Sequence, residues 1–215
     1  MPKVVDHDER RREIAEAVWR VIARDGMAAA SARTVAAEGG WSLGAVRHYF
    51  SSQDELMLFA VTEMIDGVVG RLQAIRAAHR PGPARCRRVL EQLLPLDERR
   101  TGEVRVWLAA LIRSHVDPAF DEVRRAGWDG TRRICRGVVL ELAGREGAAP
   151  STPLGARLEA QASDLHTWVD GLTLQSATMP DALPADEVRR QVRTHVRRLG
   201  AALAPSHRGE QPTQG

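Results

Sequence analysis

Between Ser31 and Phe50 the chain carries two short runs, SARTVAAEG and SLGAVRHYF, each headed by a serine and joined through Gly40 and Trp41. No other stretch limits the fold so tightly. Each serine stands where a helix N-cap is wanted, its side-chain oxygen placed to accept from an orphan backbone N–H of the next turn. Gly39 or Gly40 can take positive φ without steric cost, so the chain can turn sharply between Glu38 and Ser42. Ahead of them Ile14, Ala17, Val18, Val21 and Ile22 recur at helical spacing, which predicts one amphipathic helix from Asp8 to Asp25, ended by Gly26 in the left-handed cap position. A long helix bracing two short ones around a glycine turn is the helix-turn-helix arrangement, whose second short helix lies in a DNA major groove.

The same residues admit another reading. Gly40, Ser42 and Gly44 spell GxSxG, the pattern of a hydrolase nucleophile elbow, which needs a buried strand just before the serine. The residues before Ser42 are rich in alanine and lack a run of Val, Ile or aromatics, so a short helix is expected there and Ser42 reads as an N-cap. A hydrolase using Ser42 and a helical adaptor that binds protein through its tryptophans stand as alternatives. No HExxH, P-loop or Gly-rich dinucleotide motif occurs, and His166 with Asp170 is only a helical i, i+4 pair. Neither catalysis nor any metal or cofactor is expected.

After RHYF, Ser52 and Glu55 form an S-x-x-E capping box. Leu56, Phe59, Met64, Val68, Leu72 and Ile75 then carry a fourth helix to His79, a rod of about 37 Å. Further helices are expected over Ala84 to Leu94, Gly102 to Val116, Pro118 to Arg145, Leu154 to Thr178 and Ala185 to Leu203, with no strand, and the polar tail 205–215 should be disordered. The fold class is therefore all-α: residues 1–53 make the helix-turn-helix unit and 54–204 a second helical domain. No apolar run is long enough to span a membrane and the N-terminus lacks a signal-peptide core, so a cytoplasmic location is expected. Cys86 and Cys135 have no CxxC partner and read as reduced thiols.

Net charge says little about partners. The chain has 31 basic and 28 acidic residues, and residues 1–53 hold eight basic and seven acidic ones, a net of about +1. Thirty of the basic residues are arginine, with Lys3 the single lysine. Any case for DNA must rest on where these charges sit.

The segment VAAEGGWSLGAVRHYFSSQDEL closely resembles the signature of the TetR family of bacterial transcription regulators, in register over Val35, Ala36, Gly40, Ser42, Gly44, His48, Tyr49, Phe50 and Leu56. Beyond it, VWLAALIRSHVDPAF and WVDGLTLQSATMPDALPADEV look like the ligand-binding and dimerising part of BetI-type members. The resemblance implies a homodimer that binds a double-stranded DNA operator and is switched by a small-molecule effector, with repression the expected sense. It also implies a DNA surface of Ser31, Arg33, Ser42, Leu43, Ala45, Arg47, His48 and Tyr49. Ser31 and Ser42 would offer helix N-termini to phosphate, His48 and Tyr49 would donate to phosphate, and Leu43 and Ala45 would touch thymine methyls. Three positions depart from the family pattern: Arg47 replaces a common tyrosine, Gln53 a phosphate-gripping lysine, and Trp41 a smaller valine or isoleucine. Arg47 can read guanine bidentately or merely touch phosphate.

In the second half, Leu158, Leu165 and Leu172 with Ala162, Trp168 and Val169 form one stripe, and Val188, Val192, Val196, Leu199 and Leu203 another. They suit either a four-helix dimer interface, with Gly171 allowing close approach, or the subunit's own core. Trp107, Phe120, Trp128, Trp168 and Met179, with Arg113, His115 and His166, are candidates to line an effector pocket, each alternatively a core or surface residue. An arginine there would suit an anion and an aromatic box a quaternary ammonium group.

Overall fold

The computed structural model describes residues 7–26, 29–145 and 147–204, so the tail 205–215 lies outside the described residues. Its regular elements are α1 His7–Asp25, α2 Ala32–Gly39, α3 Leu43–Tyr49, α4 Gln53–Ala78, α5 Pro83–Leu90, α6 Glu98–Ser114, α7 Asp121–Leu142, α8 Ala156–Thr178 and α9 Ala185–Leu203, with 3₁₀ turns at Glu91–Leu93 and Pro118–Phe120. The all-α reading holds, with several boundaries displaced; the helix expected over Pro118 to Arg145, for one, opens as a 3₁₀ turn and runs as α7 from Asp121 to Leu142. The helix expected from Ala84 breaks into a 3₁₀ turn after Leu90, and α6 starts at Glu98, not Gly102, because Asp97 caps it by accepting from Arg100 N at 2.8 Å. No helix among the described residues is long and apolar enough to cross a membrane.

Local capping explains why α2, α3 and α4 begin where they do. Ser31 Oγ accepts from Thr34 N at 3.2 Å while Thr34 Oγ1 accepts from Ser31 N at 2.9 Å, a reciprocal box that the S-x-x-E pattern would not have found. Ser42 Oγ accepts from Ala45 N at 3.0 Å. Ser42 follows the α2 helix and its Gly40 cap, so the strand that a nucleophile elbow requires is not there. At α4 the expected box is half made. Ser52 Oγ accepts from Glu55 N at 3.0 Å, but the Glu55 carboxylate takes the backbone N–H and hydroxyl of Ser51, both at 2.8 Å. Ser51 gives that one oxygen both its backbone N–H and its hydroxyl, and these bonds hold the Glu55 carboxyl below its ordinary range.

The turn between α2 and α3 uses two glycines for different reasons. Gly40 sits at φ 69°, the left-handed cap, and its N–H reaches back to the end of α2. Gly39 makes room: a Cβ there would stand 2.2 Å from Trp41 Cζ3. The large residue at position 41 thus packs over the turn.

Two apolar clusters divide the core. The first joins Ile14, Val18 and Val21 of α1, Val35, Val46, Phe50 and the first half of α4 with Val106 and Ala110 of α6, and takes in Phe120. The second joins Leu72, Leu90, Cys135, Val139 and the buried faces of α8 and α9. The first cluster therefore runs across position 53, and the head is built onto α4 and α6. Burial pushes the Cys135 thiol up to about 12 and the Cys86 thiol up as well, so both stay uncharged. Glu141 of α7 pins the start of α5, accepting from Gly82 N at 2.7 Å and from Arg85 Nη2 at 2.7 Å.

The two stripes considered for a dimer interface are buried inside the subunit. Leu165, Val169, Val188, Val192 and Val196 are at most 2% exposed. The reason is α7, which packs against both α8 and α9, while α5 packs on α9 as well. The face that α8 leaves outward is a different one: Ala160, Ser163, Thr167, Gly171 and Leu174, with Leu174 51% exposed.

Candidate nucleic-acid interface and effector cavity

On α3 the only buried side chain is Val46, which with Phe50 anchors the helix to the head. Each such burial contributes about 1.5 to 3 kcal/mol. Phe50 meets Phe59 of α4 with ring centroids 5.4 Å apart, and Arg11 lies over both rings at 4.7 Å. With Val46 turned inward, Ser42, Ala45, Arg47 and His48 are exposed, and Leu43 and Tyr49 half-exposed. On α2, Arg33 is exposed and Ser31 partly so, so the eight residues expected at DNA all reach the surface of the head. Tyr49 is also a packing residue: its ring lies 4.4 Å from His7, which fixes the start of α1 beside the end of α3.

The charges separate in a way that the net of about +1 conceals. Arg10 pairs with Glu13, Arg11 with Glu55, Arg12 with Glu63, and Arg20 and Arg24 with Glu38. The Arg24 and Arg20 hydrogen bonds hold the Glu38 carboxyl below its ordinary range. Arg33 and Arg47 alone among the described arginines of the head have no acidic partner among the described residues. Gln53, where the family pattern has lysine, donates Nε2 to Ala30 O at 2.8 Å and ties α4 to the chain before α2.

A cavity of about 140 Å³ lies where the two core clusters meet. Met64 of the first cluster and Leu72 of the second both line it, with Trp107 from α6, Ile134 from α7 and Val169 from α8. Gly127 and Gly130, one turn apart, strip α7 of side chains there. The indole of Trp107 lies directly on Gly127, where a Cβ would fall 2.1 Å from Cη2. The wall carries three ionisable groups. Arg100 is committed to Asp97 at 2.8 Å and to Glu91 O at 2.8 Å. Glu103 is held by Arg71 at 2.6 Å and Arg99 at 3.1 Å. Among the described residues Asp170 pairs only with His166 Nε2, at 3.3 Å. Burial lowers the His166 imidazole below its ordinary value, and burial likewise raises the Asp170 carboxyl.

Of the residues expected to line a pocket, the structure brings only Trp107 to this cavity. Phe120 is consumed by the first core. Arg113 pairs with Asp54 at 3.0 Å and Asp117 at 3.5 Å, and His115 is an exposed cap of α6. Trp168 stacks on His195 at 3.9 Å. Trp128 is exposed with its ring 5.4 Å from His166, and Met179 lies past the end of α8, 60% exposed. His166 is buried and does not line the cavity. The missed wall residues look like ordinary core in sequence; Gly127 and Gly130 on one helix face were the available signal.

A family described as "BetI-type transcriptional repressor, C-terminal" matches residues 82–201. The HTH-type transcriptional regulator PksA of Bacillus subtilis (strain 168) is 36% identical over 197 residues, 91% of this chain and 92% of its own. The chain belongs to the TetR family of transcriptional regulators. Similar to this TetR-family regulator, too, is the HTH-type transcriptional regulator BetI of Burkholderia cenocepacia (strain HI2424), 28% identical over 178 residues, 82% of this chain and 87% of the relative. Among solved structures, a transcriptional regulator from Rhodococcus sp. Rha1 superposes with a TM-score of 0.73 at 29% identity, covering 89% of this chain and 96% of that one. Of the five tryptophans that an adaptor surface would use, Trp128 is the exposed one.

Proposed function

We propose that this chain is a repressor that binds a palindromic operator as a two-fold dimer and is released when a small molecule occupies the cavity between its two cores. The observation that carries the DNA half is the placement of Arg33 and Arg47, exposed and without acidic partners among the described residues, on the two helices of the helix-turn-helix. A cation already paired on the protein must give up that pairing to bind phosphate, so Arg33 and Arg47 reach phosphate at lower cost than the α1 arginines. The outward face of α8 supports the dimer: its small residues allow close backbone approach, and a Cβ at Gly171 meets nothing within 4 Å in the subunit.

The route from cavity to DNA runs along α4. Its 26 residues span about 39 Å. Met64 to Leu72 form part of the cavity, while Gln53 and Phe59 grip Ala30 and Phe50 at the head. A tilt of such a rod changes the separation of two recognition helices, which must match half-sites about 34 Å apart or a multiple of it. The test is footprinting on DNA from beside the gene, with sedimentation at micromolar protein. A protected inverted repeat and a dimer are expected; a direct repeat or a monomer overturns the reading.

A further inference from the structure

We infer that the cavity takes an amphipathic organic monocation, an apolar body of about one aromatic ring carrying an ammonium group, with Asp170 as the carboxylate that receives the charge. This rests on the reading of the cavity as the effector site. Size sets the body: about 140 Å³ is close to the volume that accommodates a benzene ring. The lining sets its character: it is mostly apolar, from Met64, Val68, Leu72, Ile134 and the Trp107 face, and of its uncharged polar side chains Gln92 is engaged by Arg71 and Thr173 by Leu93 O, with Thr131 beside them.

Charge bookkeeping sets the sign. Arg100 is satisfied by Asp97 and a backbone carbonyl, so an anion would have to break those bonds to use it. Glu103 is satisfied twice over by Arg71 and Arg99. Asp170 faces His166, whose imidazole burial holds below its ordinary value against the pull of Asp170 itself, and no arginine among the described residues pairs with it. Its side chain is 61% exposed, which puts it at the cavity mouth, between water and the apolar interior. An ammonium at the mouth would give Asp170, whose carboxyl burial raises, the counter-charge that favours its ionised form, while the ring attached to it fills the space against Trp107.

The experiment is calorimetric titration of the full-length protein with three probes of one shape: 2-phenylethylammonium, neutral 2-phenylethanol and anionic 3-phenylpropanoate. The cation is expected to bind at least about tenfold more tightly than the alcohol, equivalent to about 1.4 kcal/mol, with the anion weakest. Asp170→Asn and Asp170→Ser should erase the preference, and Asp181→Asn, an exposed aspartate past α8, should keep it. Equal binding of cation and alcohol, retention of the preference in both Asp170 variants, or binding by none of the three overturns the proposal. Binding of the cation without any change in affinity for the footprinted DNA leaves this site standing and overturns the ligand-released repressor; release by the alcohol or the anion does the reverse.

Discussion

Alanine at Gly127 and alanine at Gly130 should move stability in opposite directions, although both glycines face the same cavity from the same helix. Replacing a glycine inside a helix by alanine gains about 0.8 to 1.0 kcal/mol from backbone propensity. At Gly130 nothing lies within 4 Å of the new methyl, so that gain should appear almost whole. At Gly127 the methyl would stand 2.1, 2.6 and 2.9 Å from three atoms of the Trp107 six-membered ring. The ring must move, and overpacking of this kind costs about 1 to 3 kcal/mol. The net for Gly127→Ala is then a loss of about 0 to 2 kcal/mol, and the two variants should differ by about 1 to 3 kcal/mol. Urea unfolding at one fixed protein concentration measures both, since a dimer's stability depends on concentration. Adding Trp107→Leu to Gly127→Ala should recover most of the overpacking cost, a coupling absent from Gly130→Ala. If the two alanine variants agreed within about 0.5 kcal/mol, the close seat of Trp107 on α7 would be wrong.

Arg47→Ala should cost about 1 to 3 kcal/mol per half-site and relax preference at one operator position if Arg47 reads guanine. A phosphate contact alone would weaken all single-base operator variants equally and lower the salt slope by about one, so binding of the variants at two salt concentrations decides between them. Arg113→Ala removes the link from the end of α6 to Asp54 at the start of α4; both partners are nearly half exposed, so stability should fall by less than about 1 kcal/mol. Effector-induced release of DNA should nevertheless weaken, measured as the ratio of operator affinities with and without effector. Burial works to raise the Glu141 carboxyl, but the Arg85 and Gly82 hydrogen bonds outweigh it and hold the group below its ordinary range. A depressed folded value means that this stabilisation is full above the unfolded carboxyl value near about 4.3 and is lost as pH falls through the folded one. Glu141→Gln should therefore be less stable than wild type at pH 7, by about 1 to 3 kcal/mol because the pair is only partly buried and Arg85 keeps its bonds to Arg76 O and His79 O, and the deficit should shrink in acid, as urea unfolding across pH would show.

The head was legible because what builds it is local. Ser31, Ser42, Ser52, Gly26 and Gly40 act within a turn or two of where they stand, and the caps formed at all five. The α8 and α9 stripes were harder. Counting apolar residues on two helices gives how much surface must be covered, and not by what; here α7 and α5 cover it, and the outward face of α8 is made mostly of small residues that carry little hydrophobic signal. The cavity was not legible for a related reason. Tryptophan and histidine attracted notice as chemistry-bearing residues, yet a gap between two cores is lined by whatever Met, Val, Leu and Ile happen to border it, and by glycines that leave it empty. Asp170 was visible only as a helical neighbour of His166, because the commitment of the nearby Arg132 to Glu159 is a tertiary fact.

Where the cavity lies explains why its filling can matter to DNA at all. A ligand shifts a conformational equilibrium only through its different affinity for the two states. A pocket enclosed within either core would move with that core as one body, and its occupant would meet the same walls whatever the head did. This cavity has walls from both: Met64 belongs to the cluster that carries α3, while Leu72 and Val169 belong to the cluster formed with α8 and α9. Any tilt of α4 that alters recognition-helix spacing also alters the distance between those walls. On the proposed function an occupant would therefore sense the same coordinate that sets the fit to two half-sites, and operator and effector would oppose each other by equal factors.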